Sequence, residues 1–268
     1  MFSVRKVVQL AKALLLRNGV FVGRAVPHEE LRDWVSRFSP RQTCAPMQRF
    51  GATNDGGYLM PDVLEDVEAC FSPGVSTCAD FEAAIAGRGI RCFLADYSVT
   101  APPMKHELIH FDQLFVGPVT RDHFVSLDDW VEARCPGAGD LLLQMDIEGA
   151  EYGAILAARP QTLRRFKVII IELHMLDRVA TDLGFRLLQD FSAKLLDNHF
   201  VVHAHPNNCW QPVQAQGLTI PPVLELTLVR RDVCPVGAPV REFPHPLDAP
   251  NLPGVPDIVL PECWRARD

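Results

Sequence analysis

Four acids and three histidines stand where apolar runs of the chain stop. Asp96 follows Arg91-Cys-Phe-Leu-Ala95, and Asp146 and Glu148 follow Asp140-Leu-Leu-Leu-Gln-Met145. Glu172 and His174 close Phe166–Leu173, while His203 and His205 lie in Phe200-Val-Val-His-Ala-His205. Carboxylates beside imidazoles are the groups that move protons near neutral pH, or hold a divalent cation such as Mg²⁺ or Mn²⁺. Asp146 and Glu148 are two apart, so in extended backbone they project to one face. Asp146, Glu172 and His174 form the candidate cation set. Each group also has a plainer reading: Asp96 as the cap of a turn, Glu151 as an acid stabilising a helix N-terminus. His203 and His205 alternate along their strand, so one of them is expected to be a satisfied core histidine.

A second constellation surrounds Ser72-Pro-Gly-Val-Ser76. It keeps one glycine where backbone must approach a ligand closely, followed by small residues and a helix start. It lacks the G-x-G-x-x-G fingerprint, which argues against a nicotinamide dehydrogenase. Asp96 lies about 20 residues past Gly74, the spacing at which a carboxylate accepts hydrogen bonds from ribose hydroxyls. Asp55-Gly56-Gly-Tyr58 is a tight turn or a lid over such a pocket. Trp210, just after Asn208, is placed to stack on an acceptor.

The elements that position these groups alternate. Strands are expected at 68–73, 91–96, 107–116, 140–146, 166–173, 200–205 and 223–229. Helices are expected at 29–38, 80–87, from Ser126, at 151–158 and at 182–198, the last from Phe185, Leu188, Phe191 and Leu195 at helical spacing. Strands separated by helices imply a mostly parallel sheet with helices on both faces, and the long loop 206–222 allows an antiparallel closing strand. In open sheets of this kind ligands sit beyond the carboxyl ends of the strands. We divide the chain into an N-terminal helical cap (1–45), the main α/β domain (46–231) and a proline-rich C-terminal arm (232–268). The arm holds eight of the 22 prolines and is expected to wrap the surface or a partner, a weak pointer to a homodimer.

Several of these motifs resemble a known family. Leu141-Leu-Leu-Gln-Met-Asp146-Ile-Glu148-Gly-Ala-Glu151 is similar to the K-x-D-x-E-G-x-E signature of the FkbM-type S-adenosylmethionine-dependent methyltransferases. Ser126-Leu-Asp-Asp129 resembles that family's T/S-L-D-D box, and Ile169-Ile-Ile-Glu172-Leu-His174 its hydrophobic-E-x-H strand. The resemblance runs from about Arg49 to Arg230, with Gln144 standing where the family has lysine. It implies a Rossmann-like class I methyltransferase fold with a seven-stranded sheet. It also implies S-adenosylmethionine beside Ser72, Gly74 and Ser76, with Asp96 on the ribose, Ser126 and Leu127 near the adenine, and Asp146 near the amino acid moiety or the methyl group. If the Asp55-Gly56 turn is a lid over that cofactor, Asp55 reaches its amino group and Tyr58 covers the pocket. The implied activity is O-methylation of a sugar hydroxyl in a polysaccharide, glycolipid or glycosylated metabolite. Methylation of an amine or a non-sugar hydroxyl, and a non-catalytic scaffold retaining the fold, are the alternatives. For a hydroxyl acceptor, His174 is the first choice of base and His205 the second, with Glu148 orienting the acceptor and Asp146 beside the reaction.

Composition narrows the partners. With 48% hydrophobic residues in 268, the chain can bury a large core. A formal net charge of −7 argues against a general nucleic-acid binder. No C-x-x-C pair points to zinc; Cys70, Cys92 and Cys209 read as small core residues in a reducing compartment, and a cytoplasmic location is expected. The first 16 residues form an apolar run broken by Lys6, Gln9 and Lys12. That is too interrupted for a membrane span, and reads as an amphipathic helix packed on the domain or a partner, or else attached to a membrane surface.

Overall fold

The computed structural model describes residues 4–20 and 22–266, so Met1–Ser3 of the N-terminal run lie outside the described residues. Seven strands form the central sheet: β1 (Val67–Pro73), β2 (Arg91–Ala95), β3 (Ile109–Asp112), β4 (Asp140–Met145), β5 (Phe166–Leu173), β6 (His199–Pro206) and β7 (Leu224–Arg230). Their spatial order is 3-2-1-4-5-7-6. β1 pairs parallel with β2 and β4, β2 with β3, and β4 with β5, while β7 runs antiparallel between β5 and β6. The seven-stranded, mostly parallel sheet is consistent with a Rossmann-like methyltransferase fold. Strand order reverses between β1 and β4, which fixes where a ligand crevice opens.

Period-two alternation divides the core. In β5, Ile169, Ile171 and Leu173 enter one hydrophobic cluster, Val168 and Ile170 the other. The first cluster includes residues of α2 (His28–Ser36), α4 (Leu127–Arg134), α5 (Glu151–Ala157), α6 (Pro160–Arg165) and α7 (Asp182–Asn198). The second contains α3 (Asp80–Ala86) together with Phe50, Tyr58 and Met60 from a hairpin of Met47–Gly51 and Gly57–Pro61. Ser126 caps α4 by accepting from the Asp129 N–H at 3.1 Å.

Three expectations need correction. The third strand does not continue to Val116: it stops at Asp112, whose carboxylate accepts from Trp130 Nε1 at 2.8 Å and Arg134 Nε at 2.9 Å, and Phe115–Gly117 pairs separately with Phe124–Ser126. Cys209 is exposed, unlike the buried Cys70 and Cys92. The described side chains of α1 (Val4–Arg17), from Lys6 onward, are exposed, so this helix is not packed on the domain.

The C-terminal arm folds back onto its own chain. Trp264 is fully buried against Trp34 of α2, with ring centroids 6.1 Å apart, and Trp34 Nε1 donates to Ser192 Oγ of α7 at 3.0 Å. A disulfide joins Cys44 to Cys234, tying the segment before the hairpin to the start of the arm. The loop between β6 and β7 carries a small hairpin, Val213–Ala215 with Leu218–Ile220.

One buried titratable group gives a stability prediction. His199, at the start of β6, donates from Nε2 to the Phe166 carbonyl at 2.7 Å. Burial pulls its pKa from the ordinary value down to about 4, against that hydrogen bond. The unfolded chain therefore takes up this proton first as pH falls. Stability from this site is present above the unfolded pKa and is lost between roughly pH 6.5 and 4, by on the order of 3 kcal/mol. In urea titrations the difference in stability between wild type and His199→Gln should narrow across that window; a constant difference would assign the slope to other groups.

Candidate active site

Two strand-end loops meet at the switch point. Gly74, after β1, has φ +94°, and its amide donates to the Ala95 carbonyl at 3.0 Å, while the Asp146 amide donates to the Pro73 carbonyl at 3.2 Å. A Cβ on Gly74 would lie 1.5 Å from the Asp146 carbonyl oxygen, so only glycine permits this approach. Beyond the two loops opens a cavity of about 610 Å³, lined in part by Asp55, Ser76, Asp96, Asp146 and Glu148.

Asp96 is buried and caps the turn that follows its strand. It accepts from the Ser98 amide at 2.8 Å and hydroxyl at 2.6 Å, as a turn cap does, and from the Ser76 amide at 2.9 Å, which ties the β1 and β2 loops together. The cavity mouth carries aromatic groups that sequence reasoning missed. Phe115 and Phe124 are 38% and 42% exposed and line the cavity with ring centroids 5.5 Å apart. Tyr97 stacks on His123 at 4.0 Å and also meets Phe115. The available signal was the twin Phe-Val-small tripeptides, 115–117 and 124–126, which pair with each other. Ser126 and Leu127 are not brought to the cavity lining: Ser126 caps α4 and Leu127 is buried in the core.

Ser72 points away into a buried chain. Its hydroxyl contacts Glu82 and donates to Gln144 Oε1 at 2.6 Å, and Gln144 Nε2 donates to the Tyr58 oxygen at 3.1 Å. Burial raises the Glu82 pKa, opposed by the Ser72 hydroxyl beside its carboxylate. Gln144, the residue that departs from the family signature, thus holds Tyr58 and Ser72 in place. Asp55, Gly56 and Tyr58 line a smaller cavity of about 130 Å³ that also reaches Asp146.

Four acids converge on His174. Its Nδ1 lies 3.1 Å from Glu151 Oε1, and Glu151 is fully buried and also accepts from the Ile147 amide at 2.9 Å. The paired carboxylate makes Nδ1 the protonated nitrogen, which leaves the Nε2 lone pair free. Nε2 is 3.5 Å from Glu148 Oε2, 3.7 Å from Asp146 Oδ1 and 3.8 Å from Glu172 Oε1. Burial lowers the His174 pKa, but the Glu151 hydrogen bond and the charges of Glu151, Asp146 and Glu148 outweigh it, so the net shift is upward. Glu151 is therefore more than a helix-terminal acid. Asp146 is pushed up to about 7 by burial, opposed by His174 and reinforced by Glu148, Glu151 and Asp55. Its Oδ1 is buried without a hydrogen-bond partner, an orphan acceptor of the sort a bound ligand satisfies. Glu148 and Met175 both adopt left-handed backbone, φ +57° and +52°, a cost of about 1–2 kcal/mol each concentrated beside His174.

His203 and His205 require a correction. Residues two apart on a strand share a face, so the two rings do not divide between core and site: they lie side by side, and both are buried and partnered. His203 Nε2 is 2.8 Å from Asp248 and His205 Nε2 is 3.0 Å from Asp257, both carboxylates of the C-terminal arm. Burial disfavours charge on His205, yet Glu225, Asp248 and Asp257 raise its pKa to about 9, so at neutral pH it carries a proton and is not free to accept one. Glu172, opposite Glu225 in the sheet, accepts from Asn207 at 2.9 Å. Trp210 is 62% exposed.

Comparison with known proteins adds a family. Residues 122–198 match the Methyltransferase FkbM domain. The match supports the FkbM-type methyltransferase family. It spans α4 to α7, and so contains Asp146, Glu148, Glu151, Glu172 and His174, while the Ser72–Asp96 region lies outside it. The family supports a methyltransferase, with S-adenosylmethionine implied as methyl donor. No curated protein matches the chain. Among solved structures, a putative hemolysin from Streptococcus thermophilus is similar at 9% identity and a TM-score of 0.33, over 68% of this chain; the chain spans 64% of its length. Among the described residues no helix is long and apolar enough to cross a membrane.

One prediction isolates Glu151. Glu151→Gln should lower the His174 pKa, moving the acid limb of the kcat/KM profile to lower pH while reducing kcat roughly 10- to 100-fold. A purely structural acid would change stability and leave the profile where it was.

Proposed function

We propose that the chain transfers a methyl group from S-adenosylmethionine to a hydroxyl of a sugar acceptor. The observation that carries this reading is the Glu151–His174 pair, which directs a free imidazole Nε2 toward Asp146 and Glu148 at the mouth of the cavity. The residues present fit the donor: the tight Gly74 loop, Asp96, the Phe115–Phe124 wall and the orphan Asp146 oxygen surround one space. When bound, S-adenosylmethionine supplies an electrophilic methyl on a sulfonium.

The remaining work falls to the chain. Asp96, fixed by Ser76 and Ser98, holds the ribose through the lone pairs left to it. Phe115 and Phe124 flank the adenine. Asp146 accepts a hydrogen bond on its orphan oxygen, from the donor's amino group or from the acceptor. Glu148, with its side chain 87% exposed, orients the incoming hydroxyl. His174 Nε2 takes the hydroxyl proton as the oxygen attacks, and Glu151 stabilises the imidazolium that forms. Acids near the reacting centre, with no lysine or arginine among the residues lining the cavity, suit a neutral polyol better than an anionic acceptor. An amine acceptor would also meet these acids, and is separated by testing amino and hydroxy sugars side by side.

A divalent cation is the second reading, because ligand atoms of Asp146, Glu148 and His174 lie within 4.8 Å of one another. There the same hydroxyl would lose its proton under the influence of Mg²⁺ or Mn²⁺. Loss of turnover on chelation, restored by one added cation, would favour it.

The first test is calorimetric titration with S-adenosylmethionine and S-adenosylhomocysteine, with and without Mg²⁺. Micromolar binding is expected, and Asp96→Ala should weaken it about 10- to 100-fold, the value of one or two hydrogen bonds to a charged group. No binding of either ligand by the wild-type chain would remove the methyltransferase reading; unchanged affinity in Asp96→Ala would remove the ribose role alone.

A further inference from the structure

The helix α1 has an apolar face that nothing in the described chain covers. Val7, Val8, Ala11, Leu14 and Leu15 recur at i, i+1, i+4, i+7 and i+8, and so form one stripe. Val7 is 54% exposed, Val8 47%, Leu14 62% and Leu15 40%. Leu10 borders the stripe at 66%. At about 100° per residue, Arg17 and Lys12 fall on the two flanks of the stripe, with Lys6, Gln9 and the exposed Leu16 on the far side.

Charge says what this face meets. The first 24 residues hold five cations (Arg5, Lys6, Lys12, Arg17 and Arg24) and no acid, although the whole chain carries a formal −7. At about 21 Å the helix is too short to span a bilayer and long enough to lie in its surface. Cations flanking an apolar stripe can reach outward to headgroups while the stripe enters the acyl boundary. Self-pairing through this stripe would bring like charges together without a single acid to offset them.

We propose that α1 is an in-plane anchor that binds this protein to an anionic lipid surface. The inference rests on α1 alone and stands apart from the proposed methyl transfer.

The test is co-sedimentation of the full chain with phosphatidylcholine vesicles, with and without phosphatidylglycerol, beside light scattering to read the oligomeric state. Binding is expected only where the anionic lipid is present, and it should fall in high salt. Lys6→Glu/Lys12→Glu/Arg17→Glu should weaken partitioning roughly 100-fold, and Val8→Asp/Leu14→Asp should abolish it. Both variants should keep the wild-type melting temperature, because these side chains are exposed in the described chain. Absence of binding to anionic vesicles, equal binding to both lipids, or a dimer that the Val8/Leu14 variant dissolves would each overturn the proposal.

Discussion

His174→Ala should lower kcat by roughly 100- to 10,000-fold while the affinity for S-adenosylmethionine stays within a few-fold of wild type, the range for loss of a positioned general base. The two readouts separate because His174 is not among the residues lining the cavity, whereas the proposed donor contacts Gly74, Ser76, Asp96, Phe115 and Phe124 all are. The alanine variant leaves fully buried Glu151 without its imidazole partner, and Glu151 Oε2 already has none. Some stability is therefore lost too. His174→Gln supplies an amide N–H toward Glu151 but cannot take up the proton, so it should recover stability and not turnover. If the glutamine variant regained more than a tenth of wild-type kcat, the base would have to be sought elsewhere.

Gly74→Ala should abolish cofactor binding and lower stability by about 4 kcal/mol or more, a loss that belongs to backbone strain combined with overpacking. The added carbon must occupy the position of the Asp146 carbonyl, and a left-handed φ penalises any side chain. The β1 and β4 loops would have to separate, opening the floor of the cavity. For a domain of this size the melting temperature should drop by about 10 °C. Gly137→Ala is the control: its φ is also positive, yet nothing lies within 4 Å of the added carbon. If the Gly74 variant melted like the Gly137 variant, the close packing of the two loops would be refuted.

What could be read in advance followed local signal. β5 is eight residues with a nearly unbroken apolar pattern, and α7 has Thr181 at its cap and a 3.6-residue stripe, so the observed limits of both agree with the expected ones. The Met47–Pro61 hairpin gave no such pattern: its strands are five residues each, with Arg49 and Gln48 between apolar neighbours, and only its turn, Asp55–Tyr58, drew notice. In the site, Asp146, Glu148 and His174 were legible because acids and histidines ending apolar strands are conspicuous. The role of Glu151 was not, since its partner His174 is 23 residues away. Still less visible were Asp248 and Asp257, 45 and 52 residues from the histidines they hold. Proline-rich sequence has no periodicity from which a docking register could be read.

The late position of β7 in the chain has a consequence for how the protein is made. Ribosomal synthesis presents β1 to β5 first, and β5, the most apolar strand, then offers an unpaired edge on the side β7 will fill. That edge stays open while more than fifty residues are added, until Leu224–Arg230 can slide between β5 and β6. The carboxylates that hold His203 and His205 arrive later still, from residues 248 and 257. The nascent chain thus carries its Asp146–His174 half before the strand and arm that close the far side exist, and passes through a stage in which an adhesive strand edge is bare to the cell.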